Sequence, residues 1–248
     1  MDKVTRRSFV TTVGAASVVP AAALLSPATQ AAAPADAPTA SRPANSTYLF
    51  FNADEVLFIE AACERLIPAD ESGPGAIGAG VCNFLDRQLG GAWGAGERLY
   101  RSGPWVAGTP SQGYQLPFTP AELFHTALRA IHRNFEARGA AFHDLPGEAQ
   151  DAYLKSLESG AHDLDGVPSA VFFEALLKTS VEGYFSDPVY GGNRDMAAWR
   201  MIGFPGAYAS YYDVVDRHGI KIDRAPTSIG EDPHGGMHLN PGIPAREP

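Results

Sequence analysis

Chemistry needs ionisable or nucleophilic side chains at spacings that let them converge, and this chain offers four such sets. His125 and His132 share a helical face but lie seven residues apart. At ~1.5 Å rise per residue that is ~10 Å along the axis, too far to share one ion, so they read as polar histidines beside the core. His234 and His238 sit in a Gly/Pro-rich run that reads better as an extended tail than as a metal site. Asp70 and Glu71 follow Pro68 in a turn, the usual place for solvated carboxylates. Cys63 and Cys82 form the fourth set. Cys63 falls on an apolar helical stripe and Cys82 beside Val81 on the next helix. A bond between them would staple neighbouring helices and contribute roughly 3 kcal/mol in the chain-entropy picture. Spacing leaves three states open: an intrachain pair, two buried thiols, and a bridge to another chain.

Cofactor motifs are sparse. Gly78-Ala-Gly80 and Gly94-Ala-Gly96 lack the third glycine of a dinucleotide fingerprint and follow no strand. No Gly-x-x-x-x-Gly-Lys loop, Cys-x-x-Cys pair or Gly-x-Ser-x-Gly elbow occurs. The residues therefore assign no catalytic group, no cofactor ligand and no metal ligand.

The elements that would carry any site are helical. Asn52 caps a first helix, with Glu55 completing a capping box, Phe51 as a staple, and Val56, Ile59, Cys63, Leu66 and Ile67 on one face. Ile77, Val81, Phe84, Leu85 and Leu89 predict a second helix that Gly90 and Gly91 close. Residues 92–118, rich in Gly, Pro, Trp and Tyr, read as a long, partly packed loop. Thr119, Pro120 and Glu122 open a third helix with Phe124, Ala127, Leu128, Ile131 and Phe135 inward. A fourth runs from about Gly147 to Glu158, a fifth opens at Ser169, and "GAYASYYDVV" predicts a last one. The fold class is mainly α: a single globular domain of five to six helices, with long Gly/Pro/aromatic loops and an extended C-terminal tail.

The ends carry their own information. Residues 1–31 have a charged start and then an apolar run from Val10 to Leu25, as an export signal does. Arg6 and Arg7 ahead of Phe9 fit the twin-arginine pattern, and the small-residue rule puts the cut after Ala31. That points to the periplasm. Residues 32–46 are too poor in large apolar groups to fold and read as a disordered linker. Residues 47–222 make the helical domain and 223–248 the tail. The net charge of −9 would become more negative once the signal is cut, a poor match for nucleic acid or anionic lipid.

One stretch remains, Ser186 to Gly206, "SDPVYGGNRDMAAWRMIGFPG", dense in turn formers and aromatics. Pro188 restrains the backbone, Gly191 and Gly192 allow a tight turn, and Tyr190 and Trp199 offer large rigid surfaces. With Asp187 and Asn193 these residues form the candidate partner interface, presenting the docking surface or bracing it. The plainer reading is internal, with Tyr190 and Trp199 plugging their own core. A rival site is the Trp93–Tyr114 loop, which would bind a sugar in a free-standing periplasmic binding protein or enzyme.

Together with the Arg-Arg start, "ERLIPADESGPGAIGAGVCNFLDRQLGG" (Glu64 to Gly91) and "EGYFSDPVYGGNRDMAAWRMIGFPGAY" (Glu182 to Tyr208) carry a resemblance. The chain resembles the gluconate 2-dehydrogenase subunit 3 family, the small (gamma) subunits of membrane-bound gluconate 2-dehydrogenases and of bacterial fructose and flavin-dependent glucose dehydrogenases. Asp187 to Asn193 is its more specific marker. The resemblance implies a non-catalytic subunit with no cofactor of its own. Its expected partners are a catalytic flavoprotein of the glucose-methanol-choline type, which holds FAD, and a multihaem cytochrome subunit, which holds haem c. The small subunit would lend its export signal to the flavoprotein and meet the membrane only through the complex.

Overall fold

The computed structural model describes residues 48–231, apart from 107, 110, 111, 113, 114 and 209–211. The signal with Arg6, Arg7 and Phe9, the linker, and the tail histidines His234 and His238 lie outside the described residues.

Among the described residues, six α-helices make up the domain: α1 (Ala53–Leu66), α2 (Val81–Leu89), α3 (Pro120–Glu136), α4 (Gly147–Glu158), α5 (Ser169–Phe185) and α6 (Ala197–Ile202). Helix α1 starts where the Asn52 carboxamide accepts the N–H groups of Asp54 and Glu55 while Glu55 accepts the Asn52 N–H, a complete capping box. Helix α3 repeats the device with Thr119 and Glu122, and the Thr119 N–H holds the Glu122 carboxyl below its ordinary pKa. Both starts follow the sequence expectation. The fourth helix has the expected bounds, and Leu154 and Leu157 point inward from it.

Helix α5 is the centre, packing against each of the other five. A helix surrounded in this way must be apolar on more than one side. Phe172, Leu176 and Tyr184 are fully buried, and Phe173 lies in the core beside them. Two of its buried hydroxyls are satisfied by its own preceding turn: Ser180 donates to the Leu176 carbonyl at 2.7 Å and Thr179 to that of Ala175 at 2.8 Å. Below α4, an aromatic cluster of Phe58, Phe135, Phe142 and Tyr153 fills the space between α1, α3 and the 3-10 turn Phe142–Asp144. Burial there pushes the Tyr153 hydroxyl up to about 12.

Asp86 of α2 is a buried carboxylate that the sequence did not single out. Its oxygens accept the backbone N–H groups of Leu49, Phe50 and Phe51 at 2.9, 2.9 and 3.0 Å, clamping the chain just ahead of α1. Charge-assisted bonds of this kind are about twice as strong as neutral ones.

Two expectations need correction, and one element is added. The second helix begins at Val81 rather than Ile77, because Gly80 is left-handed (φ 79°) and Ile77 sits in a turn that gives its N–H to Glu64 at 3.0 Å. Ala207 does not open the expected last helix, of which residues 209–211 lie outside the described residues. Ala207 donates to the Thr227 carbonyl at 2.7 Å and Thr227 to that of Pro205 at 3.2 Å, a strand-like bridge that takes the groups a helix would need. Among the described residues a 3-10 turn, Tyr212–Val214, follows, while α6 forms upstream. The added element is a small antiparallel hairpin, β1 (Asp163–Leu164) with β2 (Val167–Pro168), which hands the chain from α4 to α5.

Candidate functional site

Segment 186–206 is built from the inside out. After α5, Asp187 accepts the Val189 N–H at 3.0 Å and starts the 3-10 turn Pro188–Tyr190. Gly191 ends that turn in the left-handed region, at φ 99°. Gly192 then passes so close to α5 that a Cβ would stand 2.1 Å from the Gly183 carbonyl oxygen, which leaves room for glycine alone. Asn193 is fully buried, its amide donating to the Ser186 carbonyl and its oxygen accepting the Ala198 N–H, both at 2.9 Å. The Arg194 N–H reaches across to the Ala79 carbonyl at 2.9 Å, tying the segment to the turn before α2.

Asn193, Asp195 and Met196 all have positive φ, at 42°, 56° and 53°. Such backbone persists only where surrounding contacts over-determine it, and it concentrates at functional segments. Here the determinants are the Asn193 carboxamide, the Ala79 carbonyl and the buried Met196 side chain.

The expected interface residues divide accordingly. Pro188, Gly192, Asn193 and Trp199 are buried, and the Trp199 indole N–H donates to the Phe185 carbonyl at 2.8 Å. They hold the segment together. Tyr190 is the exposed member of the set, at 38 %. Asp187 faces the C-terminal chain: it accepts the Ser228 hydroxyl and, at 2.9 Å, the Ile229 N–H. Residues 224–229 are thus strapped onto their own domain, with Arg224 over the Tyr208 ring at 4.9 Å. Proximity in sequence could not reveal this clasp, because its partners lie some forty residues apart.

Cys63 and Cys82 are both buried free thiols. Cys63 contacts the Ser180 hydroxyl at 3.4 Å, and its hydrogen bond with Cys82, reinforced by burial, pushes the Cys82 thiol well above its ordinary pKa. A protonated, sequestered thiol is a poor nucleophile. His125 bonds Glu55 at 2.7 Å and stacks on Phe50, whereas His132 stands apart near Glu136. The two histidines do not converge. Among the described residues no group of three or more His, Cys, Asp or Glu is placed to hold a metal ion.

Among the described residues, two hollows in the surface stand out. A cavity of about 590 Å³ lies between α1, α3 and residues 139–144, floored by Leu57, Phe58, Leu128 and Phe142 and rimmed by charges of both signs. A smaller one, about 220 Å³, is lined by Tyr100, Arg101, Trp105, Gln112 and Phe118 in the long loop. Arg101 there faces Glu122 at 3.4 Å, and Gln112 turns its side-chain oxygen to the Thr109 N–H, so both polar groups are already engaged. Among the described residues no helix is long and apolar enough to cross a membrane.

Neither a curated protein nor a solved structure matches the chain. A family does: gluconate 2-dehydrogenase subunit 3 matches residues 53–206, from the first residue of α1 to the glycine that closes the segment just described. The chain belongs to the gluconate 2-dehydrogenase subunit 3 family, whose name makes it a subunit of a multi-subunit dehydrogenase.

Proposed function

We propose that this protein is the non-catalytic small subunit of a membrane-associated, flavin-dependent sugar or polyol dehydrogenase. It supplies the twin-arginine signal and assists the folding and export of the catalytic flavoprotein to the periplasm. The observation that carries this reading is the family match across the whole helical body, from 53 to 206. The Arg6-Arg7 start supports the export half, since the twin-arginine route carries cargo that has already folded. FAD belongs to the catalytic partner and haem c to a cytochrome subunit that passes electrons onward. This chain contributes a rigid helical body and an address.

The test is to express the catalytic subunit with the wild-type chain, with its Arg6→Lys/Arg7→Lys variant, and alone, and to measure dye-linked sugar oxidation in the periplasmic fraction. Activity is expected only with the wild-type chain. Equal periplasmic activity in all three strains would sink the reading. Sugar binding by the hollow at Tyr100 and Trp105 is the second reading, and it predicts a tryptophan fluorescence change when sugar is added to the chain alone.

A further inference from the structure

Helix α5 carries a second apolar stripe beside its buried one. Phe173, Leu177, Val181 and Phe185 recur every four residues, and they emerge progressively along the helix. Phe173 is buried, Leu177 half-buried, and Val181 and Phe185 are 41 % and 38 % exposed. Helix α6 packs on α5, with Ile202 at its end 59 % exposed and Phe204 just beyond at 45 %. Trp199 links the two sides: its indole bonds the Phe185 carbonyl, and the Phe204 ring meets it edge-on at 5.1 Å.

We propose that the face formed by Val181, Phe185, Ile202 and Phe204 is where the catalytic subunit docks. The proposal rests on the reading that this chain escorts such a subunit. Scattered exposed apolar residues are ordinary, but here they stand on two helices that pack together, with the Trp199 indole bonded to the Phe185 backbone between them, and apolar residues gathered in this way fit an interaction surface. The partner is a different chain, because the family's name makes this chain one subunit of a larger dehydrogenase. The face is also set before binding. The Asn193 bonds, the left-handed run at 193, 195 and 196, and the Gly192–Gly183 approach fix the backbone between α5 and α6, so little order remains to be imposed on docking. The motif residues Pro188, Gly192, Asn193 and Trp199 act as the frame and the four apolar side chains as the contact.

The experiment co-expresses the catalytic subunit with the full chain as wild type, as Val181→Glu/Ile202→Glu, and as Leu57→Glu. Leu57 is a comparably exposed apolar residue on α1. Complexes are recovered through an affinity handle on the small subunit, and the thermal midpoint of each small subunit is measured alone. The double variant is expected to keep its midpoint and to lose partner recovery by about tenfold or more, the size of one interface hot spot, while Leu57→Glu recovers as much partner as wild type. Full recovery with the double variant, or an equal loss with Leu57→Glu, overturns the docking face and leaves the escort reading standing. Failure of the wild-type chain to recover the catalytic subunit overturns both. If the double variant is unstable, Ile202→Glu alone decides by the same criterion.

Discussion

At the start of α3, the capping box closes within three residues of Thr119 and one longer tie, from the Ala121 N–H to the Gly94 carbonyl, adds to it, whereas Asn193 and its neighbours are held by Ser186, Ala198, Ala79 and the close pass of Gly183. The first arrangement is local chemistry and survives transplantation into any helical sequence. The second exists only after α2 and α5 have come together. One region is therefore specified by what it contains and the other by what surrounds it. Interaction surfaces suit the second kind of specification, since their geometry is then guaranteed by the fold rather than by the residues on display.

The sharpest way to break that contrast is Gly192→Ala. A Cβ 2.1 Å from a backbone oxygen has no rotamer escape, so the segment must move away from α5. The expected cost is about 3 kcal/mol. For a domain of this size that is about 10 °C in thermal midpoint by calorimetry. A change under a few degrees would mean the segment is less dependent on α5 than its geometry indicates. Next in size, Asp86→Ala leaves the N–H groups of Leu49, Phe50 and Phe51 without their acceptor. The expected loss is about 2 kcal/mol by urea unfolding, again through a long-range clamp.

The smallest effect belongs to the local region. Glu122 titrates below its unfolded value because the Thr119 N–H, and secondarily the Thr119 hydroxyl and Arg101, favour its charged form. Its stabilisation is present above the ordinary carboxylate range and fades as pH falls through the lowered folded value. Replacing Glu122 with Gln should flatten the acid limb of the stability curve slightly and leave neutral stability nearly unchanged. A large neutral-pH loss would place that cap among the long-range determinants instead.

What the sequence made legible follows the same division. The caps at Asn52 and Thr119, the stripe of α3, and the bounds of α4 were readable because each depends on neighbours within one or two turns. Ile77 was assigned to a helix because its spacing matched, but the left-handed Gly80 broke that helix from within. Ala207 was lost to Thr227, a partner no helical window contains. In the candidate site, the twenty residues that matter were found by their composition, but their sorting into inside and outside was not. Trp199 and Tyr190 look alike as exposed aromatics, and only the Phe185 carbonyl decides that Trp199 turns inward. Val181 and Phe185 did leave a trace, a four-residue repeat one position beyond the buried stripe, which a search for a second apolar face on α5 would have found.

The clasp between Asp187 and the chain at Ser228 and Ile229 has a consequence for cleavage. Arg217 and Lys221 lie on an exposed run upstream of that clasp, where trypsin can reach them. A cut there severs the polypeptide but leaves the carboxylate and the Pro205–Thr227 bridge intact, so the nicked molecule migrates as one species until denaturant parts its two pieces.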